Sequence, residues 1–325
     1  MMVSLRTLFA LFLVVVLVGP IESLTNANVG PGTTPNITDI LLGRCQEYRE
    51  CLRGEPCLPN YRNLKCESIV NSFMSGIQNV DPCATPPDVY ETFLDMAPPQ
   101  TMRGKTTFWS GVAGANIPQD VAQVTSQHTV LEETLPGYMT GNLTWCGSTD
   151  DSSSMGLNFT ACPKWRSSTC PNNTKAAFWD SASKRLATQA EGQVFVVLNA
   201  QRDEGAFNNN SVFARIEAPN LNVAKVTNIM IYLIPNFTLP IPNNKYRETC
   251  LNGTVLALRK QLTSMNFNHT CEEDPTTFMW LQCARYPSSP YCGPYSGGSL
   301  LKPLHMAFLV LQVTLVALLS GWKTF

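Results

Sequence analysis

Residues 176–199 read AAFWDSASKRLATQAEGQVFVVLN, and the two halves of this stretch have different periods. Phe178, Ala182 and Leu186 recur every four residues. That spacing puts them on one side of a helix from Ala176 to Ala190, with Asn173 or Thr174 as its cap. Glu191-Gly192 breaks the pattern. From Gln193 to Asn199 the run Val194-Phe195-Val196-Val197-Leu198 is apolar without alternation, as in a strand covered on both faces. Lys225–Leu233 is a second strand. Thr106–Ser110 is a short β-prone piece ended by Gly111, and Phe267–Cys271 is a further short strand. Helical spacing recurs at Leu64, Ile69, Phe73 and Ile77, around Tyr90–Leu94, in Arg44–Cys51 and in Thr254–Ser264.

Apolar strands separated by helices predict an α/β fold with a mostly parallel sheet flanked by helices. Residues 41–140 form a mainly helical N-terminal portion and residues 176–293 the α/β portion, with the site in the cleft between them. Residues 141–175, rich in Asn, Ser, Gly and Cys, read as a disulfide-rich connecting region. Residues 25–40 read as a flexible lead-in.

The two ends point to an export route. Arg6, the apolar run Leu8–Val18 and the small residues Gly19 and Ser23 make residues 1–24 a signal peptide rather than a buried helix. Residues 304–325 form a hydrophobic tail, with Leu304–Leu319 mostly apolar, and residues 294–303 form a linker with small residues at Ser296–Ser299. This pattern predicts a glycosylphosphatidylinositol (GPI) anchor, whose attachment removes the tail. A retained membrane span is the rival, but the tail is short for one and lacks a basic cluster. The expected location is the outer face of the cell membrane or the lumen of a secretory vesicle.

The twelve cysteines are an even number and suit disulfides in that compartment. The CxxC repeat of a structural zinc site is missing, so no metal is expected. Eight glycosylation acceptors, at Asn36, Asn142, Asn158, Asn172, Asn209, Asn236, Asn252 and Asn268, agree with an exported chain. With net charge −1 and 14% charged residues, there is no basic stripe for nucleic acid.

Phosphate-binding glycine loops, GxSxG and HExxH are all absent. His128 near Glu132 offers a weak general-base pair, with a polar surface role as the plainer reading. More pointed are carboxylates beside aromatics: Glu132 and Glu133 before Leu135-Pro136-Gly137-Tyr138, Glu217 after Phe213 in a loop or strand end, Trp109 closing a strand and Trp179 opening a helix. Trp145 and Trp165 accompany cysteines. An indole face can stack on a planar ring, and a carboxylate can stabilise an oxocarbenium ion or hold ribose hydroxyls. Each Trp could equally be core, and each Glu plain surface. These residues alone stop at a glycoside- or nucleoside-cleaving cleft.

Several tracts resemble the ADP-ribosyl cyclase / cyclic ADP-ribose hydrolase family. They are Leu42-Gly43-Arg44-Cys45, Phe108-Trp109-Ser110-Gly111-Val112, Leu131-Glu132-Glu133-Thr134-Leu135-Pro136-Gly137-Tyr138-Met139, Leu143-Thr144-Trp145-Cys146-Gly147, Phe178-Trp179 and Phe213–Glu217. The resemblance implies an enzyme that cleaves the nicotinamide–ribose bond of NAD or NADP. The two nucleotides are then substrates and no cofactor is needed. A catalytically weak surface receptor or adhesion glycoprotein on the same fold is the alternative.

By resemblance Glu217 is the catalytic carboxylate and stays ionised, Trp109 and Trp179 are the stacking walls, and Glu132 contacts the carboxamide. Ser110 and Ser183 contact phosphates, and Val212, Phe213 and Glu133 complete the binding set. The bridges implied are Cys45–Cys66, Cys51–Cys57, Cys83–Cys170, Cys146–Cys162, Cys250–Cys271 and Cys283–Cys292. Val212 departs from the Phe or Thr of family members, which touches the product ratio. The positions of an extra mammalian disulfide are here Arg103 and Glu191. A homodimer is a further implied possibility.

Overall fold

The computed structural model describes residues 28–50, 61–86, 88–112, 117–150, 154–165, 167–237 and 247–293. In chain order it contains β1 (Val29–Pro31), α1 (Ile37–Arg49), α2 (Cys66–Ser75), α3 (Glu91–Met96), β2 (Thr107–Ser110), α4 (Ile117–Thr125), α5 (Leu135–Thr140) and β3 (Ala161–Pro163). There follow α6 (Thr174–Gln189), β4 (Gly192–Asn199), a π-turn (Phe213–Glu217) that runs into α7 (Ala218–Asn220), β5 (Val226–Ile234), α8 (Gly253–Ser264), β6 (His269–Glu273) and α9 (Thr276–Arg285).

The sheet is parallel throughout, in the order β2-β4-β5-β6. β4 lies inside it and is buried along almost its whole length, which is why its sequence shows no alternation. α6 is capped by Asn173, whose side chain accepts from the backbone N–H of Ala176 at 2.9 Å. One face of α6 buries Phe178, Ala182 and Leu186. That face meets an aromatic nest of Phe73 from α2, Phe93 from α3, Tyr90 and Trp145, with ring centroids 5.2–6.1 Å from Phe178.

Five of the implied disulfides are present: Cys45–Cys66, Cys83–Cys170, Cys146–Cys162, Cys250–Cys271 and Cys283–Cys292. Cys51 and Cys57 lie outside the described residues, as do the leader and the apolar tail. Arg103 and Glu191 are brought together without a disulfide: the amide of Gly104 donates to the carbonyl of Glu191 at 2.7 Å. None of the eight acceptor asparagines is buried. No helix among the described residues is long and apolar enough to cross a membrane.

The lead-in needs correction. Where it is described, from Asn28 onward, it is tied down rather than flexible. β1 pairs antiparallel with β3, and α1 begins at Ile37, seven residues before the helix expected at Arg44. The physical reason is burial: Ile37, Leu41, Cys45 and Tyr48 form a single apolar face once the helix starts that early. α4 and α9 were also not anticipated. Both are short and pack on each other, so their stability is tertiary rather than local.

Candidate active site

A cleft of about 850 Å³ opens at the carboxyl end of β2, the edge at which parallel sheets receive ligands. Trp109 and Ser110 close β2, and both face the cleft. Trp179 and Ser183 come from α6 one helical turn apart and line the same space. Glu132 and Glu133 arrive on the short turn Leu131–Glu133 ahead of α5. Gly137 allows that turn to sit tightly on the helix: a Cβ there would lie 2.0 Å from the carbonyl oxygen of Leu131.

Glu217 is reached by a detour in the backbone. It ends the π-turn Phe213–Glu217, not a loop or strand end as its sequence suggested. Pro219 has no N–H to donate to the carbonyl of Arg215, so a regular α-helical ladder cannot pass through this point. The side chain of Asn220 instead donates to the carbonyl of Ile216 at 2.7 Å. Wide turns of this kind concentrate at functional sites.

The carboxyls are electrostatically loaded. Glu217 is 7% exposed and its Oε2 is buried without a hydrogen-bond partner among the described residues. Burial pushes its pKa up to about 8; a hydrogen bond from Ser183 opposes this, and the charges of Glu132 and Asp180 add to it. Burial likewise raises Glu132, against the pull of its own backbone amide and of the Trp109 indole, which donates from Nε1 to Oε2 at 3.4 Å. Desolvation therefore favours the protonated form of Glu217. The ionised form expected from the resemblance thus has to be gained against a desolvation cost.

The indoles divide cleanly. Trp109, Trp165 and Trp179 line the cleft, whereas Trp145 is 1% exposed in the aromatic nest. Glu133 also lines the cleft and accepts from Gln123 Nε2 at 3.0 Å. Val212 lines the cleft but Phe213 does not. Phe213 is wholly buried between Phe108 and Phe207, at 6.1 and 6.2 Å. On this turn the two side chains diverge: Val212 faces the cleft and Phe213 the core. His128 is neither a surface residue nor part of the cleft. It is buried among Phe195, Tyr232 and Phe278, with Nδ1 3.0 Å from Thr107 Oγ1, and burial lowers its pKa to about 4.

A family model described as ADP-ribosyl cyclase matches residues 34–292. The chain belongs to the ADP-ribosyl cyclase family. It is 32% identical over 263 residues to human ADP-ribosyl cyclase/cyclic ADP-ribose hydrolase 2, covering 81% of this chain and 77% of that one. It is 31% identical over 260 residues to the enzyme of Aplysia californica, covering 80% and 87%. Among solved structures it is similar to Aplysia cyclase complexed with the substrate NGD and the product cGDPR, with TM-score 0.68, 28% identity, and 81% and 98% of the two chains covered. It is also similar to porcine CD38 with a covalent intermediate, ribo-F-ribose-5'-phosphate, with TM-score 0.65, 28% identity, and 75% and 98% covered.

Within this family member the structure gathers Trp109, Ser110, Glu132, Glu133, Trp179, Ser183, Val212 and Glu217 around one cleft and leaves Phe213 out. Sequence reasoning missed Arg44, Asp120, Lys175 and Arg202, which line it together with Trp165. A signal for two of them was available. Lys175 stands one turn before Trp179 on α6, and Arg202 follows the end of β4, where a parallel sheet presents ligand contacts. Among the described residues no group of acidic, histidine or cysteine side chains could hold a metal ion.

Proposed function

We propose that this cleft breaks the nicotinamide–ribose bond of NAD and NADP. The observation that carries the reading is the unpartnered Oε2 of Glu217, buried in a cleft walled by Trp109 and Trp179. No donor among the described residues satisfies that oxygen; ribose hydroxyls would. The indoles stack on the planar rings and fix the pose. As the C1′–N1 bond breaks, both electrons leave with nicotinamide, which departs neutral because it was a pyridinium. No strong general acid is required. Positive charge grows on the ribose beside Glu217, and that cation draws the carboxyl to its ionised form. Glu132 contacts the carboxamide and restrains hydrolysis relative to cyclisation.

Three nucleophiles compete for the anomeric carbon. Water gives ADP-ribose and a proton. The adenine N1 of the same molecule gives cyclic ADP-ribose. A second pyridine gives base exchange, so that NADP and nicotinic acid yield NAADP. Val212, smaller than Phe and without the hydroxyl of Thr, borders the space where the adenine end would fold back, and it sets the balance. No cofactor or metal takes part, so activity survives a chelator.

The same proposal includes the setting: a signal peptide at residues 1–24, a GPI anchor near Ser296–Ser299, and a homodimer at the cell surface or in a vesicle. The division into portions at residues 41–140, 141–175 and 176–293 belongs to it too. The test is chromatography of all products from NAD, and from NADP with nicotinic acid at acidic pH, using the purified protein and Glu217→Gln. Nicotinamide release that persists unchanged in Glu217→Gln would sink the mechanism.

A further inference from the structure

The structure assigns Arg202 as the group that seats the pyrophosphate of the dinucleotide, in an anion pocket that Gly111 keeps open. This rests on the NAD reading above and adds to it a residue and a charge.

The cleft needs such a group. Glu132, Glu133, Asp120 and Glu217 all line it, and carboxylates repel a pyrophosphate. Three cations line it as well: Arg44, Lys175 and Arg202. Two of them are committed to the backbone. Arg44 Nη1 donates to the carbonyls of Tyr138, Met139 and Gly141 at 3.3, 3.0 and 2.7 Å, closing the end of α5. Lys175 Nζ donates to the carbonyl of Leu143 at 2.9 Å and lies 5.5 Å from the Trp145 ring. Arg202 is held by side chains alone: its Nε donates to Glu204 Oε2 at 2.9 Å and its Nη1 to Ser110 Oγ at 3.3 Å. Its counter-ion Glu204 is 60% exposed, while the arginine side chain is only 20% exposed. A guanidinium sheltered from water, tied to a hydroxyl on the cleft wall, is the arrangement that takes a phosphate with charge-assisted bonds.

Position agrees with chemistry. β2 and β4 are neighbours in parallel register, with Ser110 opposite Leu198. Ser110 and Arg202 therefore come from the carboxyl ends of adjacent strands, where parallel sheets bind phosphates. Ser183, one turn beyond Trp179, lines the same cleft. The phosphates would thus lie beside the ring held by Trp179, in the order the substrate requires. Gly111 makes the contact possible. Its φ is +65°, and a Cβ there would stand 2.6 Å from Arg202 Cδ and 2.8 Å from Nη1. Any side chain at 111 would push the guanidinium off Ser110.

The test uses the purified full chain and its Arg202→Gln and Arg202→Lys variants. Calorimetry reads binding of inorganic pyrophosphate and of nicotinamide, and kinetics reads KM and kcat for NAD. Arg202→Gln should weaken pyrophosphate binding about tenfold to a hundredfold, as loss of bonds to a charged group does. The KM for NAD should rise in step, with the loss falling on KM rather than on kcat. Arg202→Lys should recover part of both. Nicotinamide binding should hold in both variants. Pyrophosphate binding that is absent from the wild-type protein, or unchanged in Arg202→Gln, would overturn the assignment. So would a matching loss of nicotinamide binding. Because calorimetry needs no turnover, a wild-type chain that binds pyrophosphate through Arg202 yet cleaves no NAD would sink the proposed function and leave this inference standing.

Discussion

Phe178 and Trp179 are consecutive on α6, yet they belong to two regions built on opposite terms. Phe178 points into the aromatic nest, where polar atoms are matched. Trp145 Nε1 donates to Tyr90 Oη at 2.9 Å, and Tyr90 Oη donates in turn to the carbonyl of Thr174 at 3.0 Å. Burial raises the Tyr90 pKa so far that it stays neutral. Trp179 points into the cleft, where Glu217 is also buried but keeps an oxygen with no partner among the described residues. A satisfied buried polar group contributes to stability, whereas an unsatisfied one costs it. The nest is organised to hold the fold and the cleft to receive something the fold does not supply.

The sharpest way to break this contrast is Glu217→Gln. Loss of the carboxylate should lower kcat by about a thousandfold or more, read as nicotinamide release. Stability should not fall. The Glu217 pKa is raised on folding, so wild-type stability drops as pH climbs from the ordinary glutamate range to about 8 and is level above it. Gln lacks that penalty, so its melting temperature relative to wild type should be highest above pH 8. A variant that melts far below wild type there would place Glu217 on the structural side.

Tryptophan exchanges come next. Trp179→Ala should cost about a hundredfold in kcat/KM with little change in melting temperature. Trp145→Ala should cost about 3–5 kcal/mol of stability, measured by denaturant unfolding. The reverse pattern would undo the division. Tyr90→Phe should cost about 1–3 kcal/mol by leaving the Trp145 N–H unmatched.

The pH profile sharpens the cleft side. If ionised Glu217 is required, kcat/KM should rise about tenfold per pH unit below pH 7 and level off near 8. Glu132→Gln removes a like charge, so the rise should move to lower pH; an unmoved profile would mean the two carboxyls are not coupled. The smallest effect is expected at His128. His128→Leu should leave kcat within about twofold of wild type, since a histidine this buried stays uncharged at neutral pH.

Much of this was readable in the chain and some was not, for physical reasons. β4 announced itself because a strand covered on both faces needs an unbroken apolar run. α6 did so because its cap and its four-residue spacing agree. β1 and β3 are three residues each and exist only by pairing with one another across 130 positions of sequence, so neither carries a local signal. The roles of Trp109 and Trp179 came from resemblance, because nothing in a lone tryptophan separates a wall from a core; only burial parted them from Trp145. Phe213 was misplaced because motif matching is blind to the direction of successive side chains on a turn. Glu217 does line the cleft, but its raised pKa comes from burial and from the charges of Glu132 and Asp180, which only the folded chain assembles.

The Cys83–Cys170 bridge closes 87 residues of chain and ends four positions before α6 begins. Cross-links over long loops restrict the unfolded chain most, by about 4–5 kcal/mol in the entropic description. The mooring of the segment that carries Trp179 and Ser183 is therefore chemical as well as conformational. Synthesised where thiols stay reduced, the protein would present these cleft-lining side chains on an untethered strut, and turnover should climb in step with oxidation of this one pair during refolding. Assembly of the cleft would then finish with a covalent step rather than with folding alone.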